Sequence, residues 1–389
     1  MKHRCRALLL AVALTGAAVA CASEGGGDEL VQSDTTTTAP PRTTSTAPNH
    51  QHRHHAITTT TTTAPETTIV DETTTTTAPE TTVHPATTEA PRTTVGHTTT
   101  TSAPRSSTPQ RDPDGDFPPG LVTPTGVPVA VLGRTDSGYL VRTPCGNTAE
   151  VSEGVFINDA RVVIDPGHGG PVDTGAIGPN GLVERDLNLT LSRAVLDELA
   201  GRGISAVSTR TGGYGTLLSV RAALADHLGV EALVSIHHNA PTWATSRSPG
   251  SEVFIQSESV NSPRADSARL GGLLYEEITA ALAAFENVTW SRAGNAGVLR
   301  VLSSSGSDAY GMIVRPSVPA VLVEYGYLSN PSEAGLFATD EYVQAAAAAT
   351  AAAIDAYLHS DRPGTGFVQQ PRIFDPQRAP SFCEDPPLE

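Results

Sequence analysis

The chain has 389 residues, of which only 17% are charged, with 30 prolines and a formal net charge of −16. This acidic balance disfavours nucleic acid and anionic membrane surfaces as partners, because both carry negative charge themselves. Apolar residues still reach 38%, which is enough for one sizeable core if they are concentrated in part of the chain. Extracellular enzymes, binding modules and structural proteins all remain open.

Residues 1–21 are typical of an export signal. A basic start is followed by an apolar stretch at 7–20, which is short for a membrane span and normal for a signal peptide; a single membrane anchor is the alternative. The stretch ends in Ala18-Val19-Ala20-Cys21, which resembles a bacterial lipobox, where the cysteine is lipidated after cleavage. We therefore expect an exported envelope protein. It is either lipid-anchored through Cys21 to the outer face of the cytoplasmic membrane or, after simple cleavage, secreted to the wall.

Residues 22–116 are a low-complexity segment rich in Thr and Pro, with threonine runs such as 73–77. Few of these side chains can be buried, so ordering the segment would cost more free energy than burial returns. We expect a disordered stalk. Residues 117–158 then alternate apolar and polar positions around the turn sequence Asp136-Ser137-Gly138. This pattern predicts a small β-hairpin unit that packs on the next domain, with a miniature wall-binding module as the alternative.

Cysteine usage fits an oxidising compartment. Cys5 and Cys21 lie in the signal segment, which leaves Cys145 and Cys383 for the mature folded part. Such a pair is expected to form a disulfide, which would tie the hairpin unit to the C-terminal tail at 362–389. Two separate thiols are the alternative. The sequence has no Cys-x-x-Cys spacing, which disfavours a thiolate zinc site.

Residues 159–361 alternate strand and helix patterns. This alternation predicts an α/β domain with a mostly parallel sheet flanked by helices, and we expect Asp186 and Ser219 to cap two of the helices. The apolar runs predict strands at 162–164, 204–209, 232–236, 253–255 and 320–323, and helices at about 186–201, 219–229, 265–284 and 340–359.

Four titratable side chains stand at the ends of these elements. His168, His237 and Glu324 each follow a predicted strand, and Glu184 lies just before a predicted helix. Because ligands bind outside the carboxyl ends of strands in open α/β sheets, we expect the four to meet at one edge. Two neutral imidazoles and one carboxylate form a three-ligand zinc set that leaves a fourth position for water. The second carboxylate would then take and return a proton.

Spacing alone leaves other interpretations open, since scattered His and Glu residues are commonly solvated or paired in the core. Glu324 would then be a buried glutamate paired with Arg210 or Arg221. The Gly-rich turn at 167–170 would be a tight connection between strand and helix. A phosphate cradle is disfavoured, because no Gly-Lys-Ser/Thr sequence follows.

Five motifs occur in order along this domain. They are VVIDPGHGG at 162–170, DTGAIG at 173–178, ERDLNL at 184–189, SIHHNA at 235–240 and VEYGYLSN at 323–330. Together they resemble the zinc-dependent N-acetylmuramoyl-L-alanine amidases of the Amidase_3 family, over about 161–358. The resemblance implies a phosphorylase/hydrolase-like sheet fold and one catalytic Zn²⁺ per chain. It also implies cleavage of the amide between N-acetylmuramic acid and L-alanine in peptidoglycan.

Carried over position by position, the resemblance makes His168, Glu184 and His237 the metal ligands and Glu324 the catalytic glutamate. Asn239 is a candidate substrate contact. The expected partners are peptidoglycan and, through the lipid anchor, the membrane. Two alternatives stay open: a catalytically inactive wall-binding protein of the same fold, and a zinc peptidase that cuts the stem peptide.

Two features bear on how far the family pattern holds. His238 occupies a position that is usually small in the family, and because successive strand residues face opposite sides, we expect it to point away from the zinc. Some family members have an extra helix that blocks the cleft until a protein activator removes it. The Gly/Ser-rich stretch 286–317 has no helical period, so we expect no such helix, and the need for an activator is left open.

Overall fold

The computed structural model describes residues 30–31, 117–241, 244–292, 296–378 and 382–389. The expected signal segment with Cys21, and the stalk apart from residues 30–31, therefore lie outside the described residues. Across the described ranges, none of the helices combines the length and the apolar character that crossing a membrane requires.

The helices and strands are named in chain order. The helices are α1 (Glu184–Gly201), α2 (Leu218–Leu228), α3 (Ala265–Ala283), α4 (Gly311–Val314), α5 (Pro331–Phe337) and α6 (Asp340–His359). The strands up to the middle of the chain are β1 (Leu30–Val31), β2 (Gly120–Val122), β3 (Pro128–Arg134), β4 (Tyr139–Arg142), β5 (Thr148–Val151), β6 (Val155–Ile157), β7 (Val162–Pro166), β8 (Ala206–Ser208) and β9 (Ala232–Asn239). The remaining strands are β10 (Ala244–Ser246), β11 (Glu252–Ile255), β12 (Ser257–Ser259), β13 (Ser262–Pro263), β14 (Trp290–Arg292), β15 (Gly297–Leu299), β16 (Val301–Leu302), β17 (Ala320–Tyr327), β18 (Arg372–Ile373) and β19 (Gln377–Arg378).

A six-stranded sheet with the order β15-β11-β17-β9-β7-β8 forms the centre of the domain. All neighbours pair in parallel except β11 and β17, which are antiparallel. Because strand side chains alternate between faces, Val162 and Ile164 pack with α1, α3 and α6 on one side. Val163 packs with α2 on the other side. The predicted α/β class, with a mostly parallel sheet flanked by helices, is confirmed.

The unit that precedes this domain is larger than the predicted hairpin. The hairpin itself is present as β3 and β4, and it belongs to a five-stranded antiparallel sheet with the order β5-β4-β3-β2-β6. The three additional strands have only three or four residues each, which is too short for a clear alternating pattern. Val129, Val131 and Val141 form its core, and Ile157 joins the apolar cluster that contains residues of α2.

Several element boundaries differ from the expected ones. Helix α1 begins at Glu184, whose N–H donates to the carbonyl of Ala176 at 2.9 Å, so Asp186 lies inside the helix and is not its cap. Helix α2 follows Leu217 as N-cap, so Ser219 is not the cap either. Strands β9 and β17 run several residues past their apolar cores, because their pairing continues through polar positions.

The described parts of the C-terminal tail contact both the α/β domain and the five-stranded sheet. It passes α3, where Thr365 lies against Gly272, and its strand β18 pairs in parallel with β16. It ends on the five-stranded sheet, where Cys383 and Cys145 form a disulfide with 5.6 Å between their Cα atoms. Farther up the chain, the described parts of 286–317 contain a single helix, the four-residue α4.

Candidate metal centre and active site

The three residues expected as metal ligands come together at the carboxyl edge of the sheet. His168 lies in the loop after β7, Glu184 is the first residue of α1, and His237 lies near the end of β9. Their ligand atoms are all within 4.8 Å of one another. The Nε2 atom of His168 and the Nδ1 atom of His237 each lie 3.1 Å from Oε1 of Glu184. This geometry gives one small, largely buried group of nitrogen and oxygen donors.

Two glycines make room for the donor side chains, because a Cβ atom at either position would collide with them. A Cβ atom on Gly167 would lie 2.2 Å from the His237 ring, and one on Gly175 would lie 2.5 Å from Oε2 of Glu184. Any larger residue would have to displace a donor side chain. Gly175 also has a φ of +63°, in the left-handed region that favours glycine. The Gly-rich motifs therefore serve the donor site itself, in addition to forming a tight turn.

Two buried arginines hold the loop that carries His168. Arg221 donates to the carbonyl of His168 at 2.7 Å, and Arg210 donates to that of Gly167 at 2.8 Å. Arg221 is fixed in turn by an ion pair of 3.0 Å with the buried Asp165. His168 has a φ of 63°, which costs a non-glycine residue free energy and persists only where the surroundings enforce it. The sequence suggested these arginines only as alternative partners of Glu324 and did not reveal this role.

The donor side chains shift one another's pKa values because they lie close together and are buried. Burial alone would raise the pKa of Glu184, yet the two imidazoles beside it hold that pKa well below its usual range. Burial lowers the pKa of His237, which favours its neutral, metal-binding form. For His168, burial lowers the pKa, but the carboxylates of Glu184 and Asp173 outweigh burial and raise it well above its usual value. A metal ion would displace this proton from Nε2, because ligation requires the free nitrogen.

Glu324 lies on the neighbouring strand, directly beside His237 in the parallel pairing of β17 with β9. It is only 2% exposed. Burial, followed by the nearby charges of Glu184 and Glu252, raises the pKa of Glu324 well above its usual range. Two imidazoles and several buried carboxylates in one place form a donor set that fits a divalent cation such as zinc.

The remaining predicted site residues have different surroundings. Asn239, at the end of β9, is buried, and its amide Nδ2 lies 3.4 Å from Oε2 of Glu252; a substrate contact by Asn239 stays a prediction. His238 points away from the donor group, with Nδ1 2.8 Å from Asn188 Oδ1 and Nε2 2.6 Å from the Tyr342 hydroxyl. Burial lowers the pKa of His238 to about 3, so it is a neutral core residue.

Comparison with known proteins gives the family. Residues 162–356 match the Amidase_3 family, described as N-acetylmuramoyl-L-alanine amidase. The matched region makes up half of the chain and contains His168, Glu184, His237 and Glu324. The chain belongs to the Amidase_3 family.

Individual proteins are similar to about half of the chain. The chain is 30% identical over 222 residues to N-acetylmuramoyl-L-alanine amidase AmiA of Escherichia coli, covering 51% of this chain and 76% of that protein. It is 34% identical over 218 residues to the Bacillus subtilis protein YqiI, covering 56% and 92%. Among solved structures, N-acetylmuramoyl-L-alanine amidase AmiC2 of Nostoc punctiforme has 29% identity and a TM-score of 0.41, covering 51% of this chain and 96% of that one.

Two residues near the site were not predicted from the sequence. Glu252 on β11 is fully buried and lies opposite Glu324 in the antiparallel pairing with β17. Arg372, from the tail outside the Amidase_3 region, binds Glu252 through both of its terminal nitrogens. A glutamate at the start of a predicted strand was visible in the sequence, but nothing in the tail indicated that its arginine reaches the sheet.

Proposed function

We propose that the chain is a zinc-dependent N-acetylmuramoyl-L-alanine amidase, which hydrolyses the amide between N-acetylmuramic acid and the L-alanine of the stem peptide in peptidoglycan. One observation carries this proposal: His168, Glu184 and His237 form a compact donor group, and the buried Glu324 lies beside His237 on the next strand. The names of family relatives such as AmiA of Escherichia coli support the choice of substrate.

In this proposal, His168, Glu184 and His237 hold one Zn²⁺, and three protein ligands leave a position open. When bound, zinc supplies a Lewis acid that polarises the scissile carbonyl and makes water more acidic. The Nδ1 atom of His168 donates to Asp173 at 2.6 Å, which directs Nε2 of the same ring towards the metal position. The backbone N–H of Ala176 donates to Oε2 of Glu184 at 2.8 Å, which orients that carboxylate.

Glu324 moves the proton in this proposal. Its carboxylate takes a proton from the attacking water as a C–O bond forms at the lactyl carbonyl. It then gives the proton to the nitrogen of the departing L-alanine as the C–N bond breaks. The products are a lactyl carboxylate on the sugar and a peptide with a free amino terminus. Burial raises the pKa of Glu324, which helps this carboxyl hold the proton between the two halves of the cycle.

We place this activity in the cell envelope. The export signal at 1–21 and the lipobox-like ending at Cys21 support export and lipid anchoring, and the Thr/Pro-rich segment 22–116 supports a spacer between membrane and wall. Peptidoglycan is then the macromolecular partner, in keeping with a chain whose acidity disfavours nucleic acid.

The test combines the zinc content of the purified protein with mass analysis of the products released from purified peptidoglycan. We expect one zinc per chain and stem peptides that begin with L-alanine, together with muramic acid that has lost its peptide. Peptides cut within the stem would instead identify a zinc peptidase. Binding to the wall without zinc and without products would identify an inactive binding protein.

A further inference from the structure

The C-terminal tail brings a cationic side chain to the edge of the active site. Arg372 lies in β18, where its backbone N–H donates to the carbonyl of Arg300 at 2.9 Å and where it pairs in register with Val301. Its guanidinium lies 5.8 Å from the centre of the Phe254 ring. Backbone pairing and ring contact together fix the direction of the side chain.

Arg372 binds the fully buried carboxylate of Glu252. Its Nη1 lies 2.7 Å from Oε2 and its Nη2 lies 2.9 Å from Oε1, which is a two-pronged ion pair. The hydroxyl of Tyr327 donates to Oε1 at 2.9 Å, and the amide of Asn239 approaches Oε2. A buried carboxylate that loses its cation is strongly unfavourable, so the position of Glu252 depends on Arg372.

Glu252 is in turn a direct neighbour of the proposed catalytic glutamate. Glu252 and Glu324 are opposite each other in the antiparallel pairing of β11 with β17, so their side chains share one face of the sheet. Like charges in such a pair repel each other. The positive charge of Arg372 relieves the repulsion between Glu252 and Glu324. Because Arg372 also fixes the carboxylate of Glu252, the Asn239 amide stays directed to that carboxylate.

We propose that Arg372 is a positioning residue of the active site, which fixes Glu252 and thereby holds Glu324 and Asn239 in place for turnover. The inference rests on the proposed function, since it assigns Arg372 to the same reaction. It is separate from a role in attaching the tail. The tail has other attachments, including the Cys145–Cys383 disulfide and the ion pairs of Arg362 with Glu276 and Glu277.

The first test compares three variants of the full chain on a soluble muramyl peptide. Arg372→Met should lower kcat at least about tenfold with little change in KM, because misplaced catalytic groups slow the chemical step more than they weaken binding. Zinc content and circular dichroism should stay as in the wild type. Arg372→Lys should recover part of the loss, because it restores the charge without the two-pronged geometry. Arg362→Met, which removes an exposed arginine of the same tail, should leave kcat and KM unchanged.

The second test is a double-mutant cycle with Glu252→Gln. If Arg372 acts through Glu252, the double variant Glu252→Gln/Arg372→Met should lose less kcat than the product of the two single losses, because it leaves no unpaired charge. The free energies of urea unfolding should be non-additive in the same way, and this readout does not require turnover.

Three outcomes would overturn the inference: wild-type kcat in Arg372→Met, equal losses in Arg372→Met and Arg362→Met, or additive effects in the unfolding cycle. If the proposed function itself is wrong, the wild-type protein will release no peptide, and this result distinguishes the two cases. In that case the unfolding cycle still decides whether Arg372 and Glu252 act as a pair.

Discussion

The Nδ1 atom of His168 lies 2.6 Å from Oδ1 of Asp173. This contact fixes the ring so that Nε2 faces Glu184, and Asp173 thereby orients one member of the donor group without belonging to that group. We expect Asp173→Ala to weaken zinc binding about 10- to 100-fold, which is the usual effect of removing the carboxylate behind a histidine ligand. Titration against a competing chelator measures this directly.

The matched control is Asp197→Ala, which removes an exposed carboxylate from α1. It should bind zinc like the wild type. Wild-type affinity in Asp173→Ala would show that His168 is oriented without its partner.

The role of Glu324 can be tested separately from the role of the donor residues, because glutamine has nearly the same shape as glutamate but no carboxylate. Glu324→Gln should lower kcat about 10²- to 10⁴-fold, because the amide can neither accept nor return the proton. Zinc content and the circular dichroism spectrum should stay unchanged. Glu258→Gln, at an exposed position on β12, is the control and should keep full turnover. Wild-type turnover by Glu324→Gln would falsify the assigned role.

A substitution of Gly167 tests whether the Gly-rich loop must lack a side chain next to the donor residues. The added methyl of Gly167→Ala would lie 2.2 Å from the His237 ring, so the ring or the loop must move, and we expect zinc to be lost while the secondary structure persists. Gly335→Ala is the matched control, because its methyl has open space in α5. Metal analysis and circular dichroism of both variants check this. Full zinc content in Gly167→Ala would show that the loop adapts.

The sequence predicted which residues lie together at the sheet edge better than it predicted the boundaries of the elements around them. The rule that ligands bind at the carboxyl edge of the sheet placed His168, His237 and Glu324 at strand ends and Glu184 at a helix start, and the motifs then supported all four positions. The pairing of β9 with β17 through His237 was not predictable, because polar residues rarely continue a buried strand pattern.

Long-range contacts could not be predicted from the sequence, for a different reason. Arg372 and Glu252 are 120 residues apart, and a side chain in an irregular tail has no periodicity that indicates its partner. The short strands β2, β5 and β6 were not predicted, because three or four residues are too few to show an alternation of apolar and polar side chains.

Asp165 predicts how stability changes in acid. Burial would raise the pKa of Asp165, but Arg221 and the hydroxyls of Ser235 and Thr209 lower it below its ordinary value. The unfolded chain therefore binds a proton at a higher pH than the folded protein does. The contribution of Asp165 is present above the unfolded pKa of about 3.9 and is lost as the pH falls through the folded pKa.

Asp165→Asn should therefore be less stable than the wild type at pH 7 and should lose less stability on acidification below about pH 4. Urea unfolding across this range measures both slopes. Asp197→Asn, at an exposed position on α1, is the control and should keep the wild-type stability at pH 7. A wild-type slope in Asp165→Asn would mean that Asp165 titrates alike in the folded and unfolded chain.

The disulfide between Cys145 and Cys383 joins positions 238 residues apart. Closing so long a loop restricts the unfolded chain, so Cys145→Ser/Cys383→Ser should lower the free energy of unfolding by about 2–4 kcal/mol. Zinc content should not change, because neither cysteine belongs to the donor group. The tail near Cys383 is also held by Asp385, which accepts hydrogen bonds from Thr143 and from the backbone of Cys145. Intact mass should rise by two hydrogens on reduction of the purified protein, and an unchanged mass would show that the two thiols are separate.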